Sequence, residues 1–505
     1  MKNGNDSFRG ALELLKQEGQ LLTIDKEVNP VLEIAGIEKA LDGGPAILFN
    51  KVKGYPDMRV AGNITATREN VSKLYGLKDS RKEMLIWGRK ALLHPLPPVK
   101  VDKAPCQEVV ITKDIDILKT LPVITHSNED PGPIFGSNIY LFTDQYFNGG
   151  TEISYKRTRP IGKDWCTLFA TPGSHIRTIL ERHKGERIPV TASIGIPPSA
   201  ILVAGTGIMP QRMGFGSDEL GIAGALQGKP IEIVKAKTVD AYAIAQSEII
   251  IEGYIHASRD YWETEEAEKM EKGREALFFP EWPKYFGRAR KVYKFEVTAI
   301  THRADSPIFY TPLADSFEAD VQYALLREAY LFDMIENVIP GLVQDIYQSY
   351  PAYITDRIQV KKRGKFDDGW ERNIIEMTFA AFPGTRLVVV TDEDIDIRNA
   401  DEVIWAISTR AVMETDILLG AGGKGVGMMP IEITDKKQGK IVPLLNNTRG
   451  LGINATIPYE LRSAFKRSSY PSFQIDLKKW LSGEEIARIR SVQSDYAKVL
   501  AKIGG

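Results

Sequence analysis

The chain opens with apolar residues at helical spacing in S-F-R-G-A-L-E-L-L-K, and residues 7–40 read as a helix, an extended stretch and a second helix. The second helix is expected to begin from Asn29-Pro30 and to stop at Asp42-Gly43-Gly44. Two runs, A-I-L-F-N-K-V and M-R-V-A-G-N-I, predict strands around a turn at Gly54–Pro56. Residues 94–107, H-P-L-P-P-V-K-V-D-K-A-P-C-Q, are proline-rich and predict an extended linker.

From about 108 to 302 the strand signal takes over. E-V-V-I-T, N-I-Y-L-F-T, T-L-F-A-T, I-P-V-T-A-S-I-G, I-E-I-V-K-A, S-E-I-I-I-E-G-Y-I and V-Y-K-F-E-V-T-A-I-T are β-branched or aromatic runs divided by Gly, Pro, Asn and Asp. Few helices interrupt them: H-I-R-T-I-L-E-R-H, P-S-A-I-L-V-A-G and E-L-G-I-A-G-A-L. That proportion predicts a barrel-like or split-barrel unit. The charge run at 262–276 reads as a solvated loop or short helix, or as a mobile lid. Beyond about 315 the pattern alternates, with an amphipathic helix, the buried strand R-L-V-V-V-T-D-E-D-I-D-I and the helix A-D-E-V-I-W-A-I-S-T-R. Residues 482–503 read as one long terminal helix, capped by Ser482 with glutamates in its first turn. The expected fold is therefore α/β and multidomain. An N-terminal α/β domain spans 1–107, a split β-barrel 108–314, and a C-terminal α/β domain with the terminal helix 315–505.

Length agrees with that division, because 505 residues exceed one ordinary core. A net charge of -1 gives no electrostatic footprint for nucleic acid or an anionic membrane surface. The longest apolar runs are strand-sized, so no membrane span is expected. The N-terminus lacks the apolar stretch of a signal peptide. Cys106 and Cys166 form neither a disulfide framework nor a zinc pattern. A cytoplasmic protein is the expectation.

Four side chains in the middle third carry the candidate chemistry: Glu152, Arg157, His175 and Glu219. Two carboxylates and an imidazole suit a hard divalent cation, and an arginine beside them suits a phosphate. The same residues also read as solvated surface charges. Arg157 sits in Y-K-R-T-R-P with Lys156 and Arg159, three cations that could steer a phosphate or carboxylate, or form an exposed basic face. Strict strand alternation would point Glu152 and Arg157 to opposite faces, so both serve one site only if a bulge or turn intervenes or if they contact different parts of the ligand. In F-F-P-E-W-P-K-Y-F-G-R-A, Glu281 lies among Phe278, Phe279, Trp282, Tyr285 and Phe286. Desolvation there would raise its pKa toward a value useful for proton transfer, and the rings could stack on a flat substrate. The alternative is a structural loop with an exposed glutamate. Arg288 follows and could pair with Glu281 or bind a substrate carboxylate. Glycine-rich stretches at 204–210 and 214–219 could cradle a phosphate. L-G-A-G-G-K-G-V-G (419–427) lacks the residue order of a nucleotide-triphosphatase loop.

Taken in order, these stretches resemble the UbiD family of reversible decarboxylases that use prenylated FMN, along nearly the whole chain. L-P-V-I-T-H (121–126) resembles the family's L-P-V-P-x-x-H, and T-E-I-S-Y-K-R (151–157) its T-N-W-S-I-A-R stretch. P-G-S-H (172–175) matches P-x-x-H, and I-G-I-P-P-S-A-I-L (194–202) resembles G-V-P-P-A-A-I-M. E-L-G-I-A-G-A-L-Q-G-K-P-I-E-I-V-K (219–235) resembles E-A-G-x-x-G-A-M-x-G-x-x-x-E-L-V-K. S-E-I-I-I-E-G-Y-I (247–255) and D-E-V-I-W-A-I-S-T-R (401–410) match two further stretches. There are departures. Glu152 stands where the family has asparagine. P-E-W-P-K-Y-F-G-R keeps the first glutamate of P-E-G-P-x-G-E as Glu281 but places Arg288 at the second. The lysine that some members carry before the R-L-V-x-V strand is absent.

The resemblance implies that Glu152, His175 and Glu219 hold Mn²⁺, with K⁺ nearby, against the phosphate of prenylated FMN, and that Arg157 joins them in binding the cofactor. It implies a catalytic set of Arg157, Glu281 and Arg288, with Glu281 the proton donor to the carbon that loses CO₂ and Arg157 orienting it. The substrate would be an aromatic, possibly polycyclic, carboxylic acid exchanging CO₂, and a flavin prenyltransferase would supply the cofactor. A homodimer or homohexamer would form through the C-terminal domain. Two rivals remain at this point: a flavin-free metal-dependent hydrolase, and a catalytically degenerate structural subunit of an aromatic carboxylase that has lost its second acid.

Overall fold

Helix α1 (Phe8–Gln17) begins at Ser7, whose hydroxyl accepts the Gly10 N–H at 3.2 Å, and it buries Phe8, Ala11, Leu12, Leu14 and Leu15. Strand β1 (Leu21–Ile24), helix α2 (Glu33–Ala40) and strands β2 (Ala46–Phe49) and β3 (Arg59–Gly62) follow. The computed structural model describes residues 5–497 except 79–80, 208–211, 271–275, 349–353, 383, 421–433, 436–439, 442–449, 469–473 and 495–496. Helix α2 starts later than Asn29-Pro30 predicts. Asn29 Oδ1 accepts the Val31 N–H at 2.9 Å and Leu32 has φ 68°, so this segment forms a turn before the helix. Strand β1 pairs parallel with β2, β2 antiparallel with β3, and a strand from far along the chain, Ile308–Tyr310, adds parallel to β3.

Helices α3 (Arg68–Tyr75) and α4 (Lys82–Leu93) lead to the stretch expected to be a linker. Part of it is instead tied into a sheet: β4 (Val99–Val101) pairs parallel with Glu232–Lys235. Its extended conformation was legible, but the partner strand lies more than a hundred residues away.

The central unit is an antiparallel sheet. Strands β5 (Val109–Ile111), β6 (Ile139–Thr143), β7 (Thr151–Tyr155), β8 (Thr158–Pro160), β9 (Trp165–Leu168) and β10 (Arg187–Ile194) precede the long strands Ile249–Trp262 and Lys291–His302. The order runs β7, β6, β10, Ile249–Trp262, Lys291–His302, β9, β8, and β5 also pairs with Lys291–His302. The outermost strands of that order, β7 and β8, are consecutive in sequence, separated only by Lys156 and Arg157. A sheet whose two edges are joined by two residues must curl back on itself, which is the split barrel expected from the strand pattern. The two long strands pair with a register shift at Gly253, where a Cβ would lie 1.9 Å from the Glu296 carbonyl oxygen.

Helix Phe317–Val338 is less amphipathic than its pattern predicts, because Glu318, Asp320, Arg327 and Glu328 are buried along with its apolar residues. The main chain forms two compact units, Met1–Asp333 and, for the most part, the residues after it. The second has a sheet ordered Val343–Gln348, Thr355–Val360, Leu387–Asp392, Leu451–Ala455, Ile417–Leu419, whose three inner strands run parallel. Helices Trp370–Ala381 and Ala400–Arg410 belong to it, as the alternating pattern requires. The terminal helix, Gly483–Val492, has the expected cap of Ser482 and Glu485 but stops at Val492, and Gln493 is extended. Among the described residues no helix is long and apolar enough to cross a membrane.

Candidate active site

The interruption of strand structure between β7 and β8 builds the site. Strand β7 ends at Tyr155, the Lys156 N–H donates to the Asn138 carbonyl at 3.2 Å, and Phe169 N–H donates to the Arg157 carbonyl at 3.1 Å. This turn is the interruption needed for Glu152 and Arg157 to serve one region. They belong to two adjoining clusters.

The first cluster joins three elements. Glu152 lies on β7, His175 is the first residue of α5 (His175–Arg182), and Glu219 opens the helix Glu219–Gln227. Each offers a ligand atom within 4.8 Å of the others, and all three are buried. Local capping fixes both helix starts. Ser174 accepts the Arg177 N–H, and Asp218 accepts the Gly221 N–H and the Thr151 hydroxyl, the latter at 2.6 Å. Thr151 Oγ1 in turn accepts the Leu220 N–H at 2.8 Å, which staples the Glu219 helix to β7. Gly150 allows this approach, since a Cβ there would sit 2.3 Å from the Ser217 carbonyl oxygen. His175 Nδ1 lies 2.7 Å from Glu152 Oε2 and 3.5 Å from Glu219 Oε1, and the Ile153 N–H donates to Glu219 Oε2 at 2.8 Å. The rings of Phe147 and Phe215 wall the imidazole at 5.0 and 5.8 Å.

Charge crowding shows in the titration of this cluster. Burial and the Glu152 charge push the Glu219 carboxyl up to about 8. Burial alone would lower the His175 imidazole, but hydrogen bonds and charges from both glutamates outweigh it and raise it to about 9. Burial would also raise Glu152, yet His175, Lys156 and Ser154 hold it below the usual carboxylate range. Without a metal, protons and Lys156 supply the positive charge that two buried carboxylates require.

The second cluster centres on Arg157, whose side chain is 7% exposed. Its Nε and one terminal nitrogen donate to the two oxygens of Glu263 at 2.9 and 2.8 Å. Its other terminal nitrogen donates to Glu281 Oε1 at 2.8 Å. Phe169 and Phe278 sandwich the guanidinium, with ring centroids at 4.6 and 4.7 Å. Gly287 leaves room for this packing, because a Cβ there would come within 2.9 Å of both Arg157 and Glu281. Burial raises the Glu281 carboxyl, Arg157 opposes that, and Glu263 adds to it, leaving the group above its ordinary value. The expected desolvation of Glu281 is thus present, and it outweighs the lowering by the Arg157 charge beside it.

Sequence reading missed Glu263. It opens the charge run read as a solvated loop or lid, yet it is 1% exposed. It follows the strand Ile249–Trp262 and precedes Thr264, which caps the short helix Glu265–Lys269. Its carboxylate also accepts the Arg290 N–H at 2.8 Å. The usable signal was position: Glu263 precedes the capping threonine, so it belongs to the strand end and not to the charged helix behind it. Arg288, expected to act through its guanidinium, brings its carbonyl oxygen to Arg157 at 3.2 Å.

The aromatic loop does not form one stacking wall. Phe278 and Phe279 pack in a core cluster with Ile134, Ala276 and Ala289, Tyr285 is largely exposed, and Trp282 stacks on Tyr323 with centroids 6.0 Å apart. Phe279 adopts φ 61° at the bulge before Pro280, a strained backbone next to Glu281. Of the glycine-rich stretches, 214–219 forms the approach to the Glu219 helix, whereas 208–210 and 421–427 lie outside the described residues.

Comparison with known proteins agrees with this architecture. The chain matches the 3-octaprenyl-4-hydroxybenzoate carboxy-lyase N-terminal domain over residues 12–84, the Rift-related domain over 98–314 and the C-terminal domain over 321–443. It is 28% identical over 468 residues to gallate decarboxylase of Lactiplantibacillus plantarum, covering 88% of this chain and 93% of that protein. An evolved dimeric form of the UbiD-class enzyme HmfF from Pelotomaculum thermopropionicum, solved in complex with prFMN, superposes with a TM-score of 0.79 at 28% identity, covering 94% of this chain and 100% of that one. Apo 3,4-dihydroxybenzoic acid decarboxylase of Klebsiella pneumoniae superposes with a TM-score of 0.83 at 28% identity, covering 95% and 99%. Three domains of one family, in one order and along most of the sequence, establish that this chain belongs to the UbiD family and is a carboxy-lyase.

Proposed function

We propose that this protein is a prenylated-FMN-dependent, reversible and non-oxidative decarboxylase of an aromatic carboxylic acid. The observation that carries the reading is the Glu263–Arg157–Glu281 network, buried between two phenyl rings and grown from the same stretch as Glu152. The cofactor and its metal fit the residues present. Two carboxylates and an imidazole within 4.8 Å suit Mn²⁺, and the Ser217 hydroxyl oxygen is buried without a partner two residues before Glu219. Glu152, His175 and Glu219 would hold that ion and, through it, the flavin phosphate. Bound prenylated FMN supplies an electron sink for the carbon that carries the carboxylate.

The protein's own part is positioning and proton transfer. Arg157 fixes the Glu281 carboxyl and presents positive charge to the departing or entering carboxylate. Glu281, raised by burial, gives its proton to the carbon that loses CO₂ and takes one back in the reverse direction. Glu263 holds the far edge of the guanidinium, so Arg157 cannot turn away from Glu281. The reading as a degenerate subunit rested on a missing second acid, and Glu263 removes that ground. Gallate and 3,4-dihydroxybenzoate, named in the relatives above, suggest hydroxylated benzoic acids as the first substrates to try.

Co-expression with a flavin prenyltransferase tests the proposal. The expected product is a coloured protein that retains prenylated FMN and manganese and exchanges labelled CO₂ into an aromatic acid. A colourless, manganese-free protein prepared in this way sinks it.

A pH dependence of metal binding follows from the same geometry. Ligation needs neutral His175 and ionised Glu219, whose protons are held up to about 9 and about 8. Each proton displaced should weaken Mn²⁺ about tenfold per unit of pH below its value. Titration calorimetry in buffers of different ionisation enthalpy should find net proton release at pH 7. Affinity that is flat between pH 6 and 9 would contradict the ligand set.

A further inference from the structure

Three cations, Lys156, Arg157 and Arg159, stand within four residues. Arg157 is committed to two carboxylates, and Arg159 donates to the carbonyls of Glu263 and Pro131. Lys156 is different. The residue is only 9% exposed, and its ammonium donates to Ser154 Oγ at 2.7 Å and to the Tyr155 carbonyl at 2.9 Å. No carboxylate pairs with it directly among the described residues. An ammonium has three donors, so one is uncommitted, and a buried cation without a bonded anion is unfavourable unless an anion arrives.

Its surroundings say where that anion would be. Glu152 and Ser154 share one face of β7, and Lys156, in the turn just past its end, reaches back to Ser154. Their side chains form a chain of contacts: Lys156 donates to Ser154, Ser154 donates to Glu152 Oε1 at 2.7 Å, and Glu152 Oε2 meets His175. The charges acting on the ammonium are those of Glu152 and Glu219, two members of the candidate metal cluster. A divalent ion there would leave only two carboxylate charges to balance it. With Lys156 added, the cluster would carry net positive charge, which suits a doubly charged phosphate.

We infer that Lys156 is a phosphate-binding residue: its ammonium, aligned by Ser154 and the Tyr155 carbonyl, aims its free donor at the phosphate of a ligand bridged by a divalent ion on Glu152, His175 and Glu219. This rests on the flavin-binding reading above. Through Ser154 the same ammonium steadies the Glu152 carboxylate, so it acts as an internal counter-cation within the site.

The test uses the full-length protein produced without a flavin prenyltransferase and stripped of flavin, with FMN and riboflavin as probes in saturating Mn²⁺. Lys156→Met should weaken FMN about 10- to 100-fold, the range for losing a charged hydrogen bond, and leave riboflavin, which lacks the phosphate, unchanged. Mn²⁺ alone should bind the variant at least as tightly as wild type, since a repelling cation has gone. Thermal melting checks that the ligand-free variant is folded, and Lys156→Gln provides the same comparison if Lys156→Met does not fold. Unchanged FMN affinity in a folded variant, or equal loss for FMN and riboflavin, overturns the role of Lys156 while leaving the flavin reading intact. If the wild type itself does not prefer FMN to riboflavin in Mn²⁺, both fall together.

Discussion

Glu281→Gln should lose about a thousandfold in turnover while keeping its fold and its flavin, because general acid catalysis by a positioned side chain contributes roughly 10²–10⁴-fold. The amide keeps the shape and can still meet Arg157, but it has no proton to give at the pH of the assay. Glu281 is bound 2.8 Å from the buried Arg157, whose guanidinium lies over the Phe278 ring, so water is a poor substitute. The wild-type rate should also fall on the alkaline side, as pH rises through the elevated Glu281 value and the acid form is lost. That limb should be missing in the variant. Labelled CO₂ exchange and deuterium incorporation from solvent measure both effects. Turnover within tenfold of wild type in Glu281→Gln would move the proton donor elsewhere.

Arg157→Met should be the most destabilising change in the site. It removes the shared partner of Glu263 and Glu281 and leaves two buried carboxylates facing each other. Breaking a buried pair by removing one side costs about 3–5 kcal/mol. Turnover should be lost as well, since Glu281 would no longer be aimed. Glu263→Gln separates the two effects: it retains one oxygen acceptor for Arg157 and should lose less stability, yet it loosens the guanidinium and should slow turnover. Combining Arg157→Met with Glu263→Gln should recover part of the stability lost in Arg157→Met, because one uncompensated charge has gone. Thermal unfolding of the three variants reads the coupling. Additive losses would mean that Glu263 and Arg157 act independently despite their two hydrogen bonds.

Much of this was legible along the chain because it is local. The Ser482–Glu485 cap, the starts of the His175 and Glu219 helices, and the β-branched strands of the central unit each depend on residues a few positions apart. Glu152, His175 and Glu219 were legible as candidate chemistry, since two carboxylates and an imidazole brought together suit a divalent cation. The aromatic loop was misread because a residue's type says what it could do, not whether its side chain or its main chain faces the site. Arg288 brings a carbonyl to Arg157, and Phe278 is a core residue beneath it.

By itself the sequence determined the α/β character, the strand-rich middle, and the set of carboxylates, imidazole and arginine available for catalysis. Only the tertiary structure decided that the sheet closes through the two residues between β7 and β8, and that Glu263, 106 residues from Arg157, completes its ion pair. Periodicity reports the face a residue occupies on its own element. Which distant element comes to cover that face is set by packing and by the requirement that a buried charge find its opposite, and neither leaves a local trace in the chain.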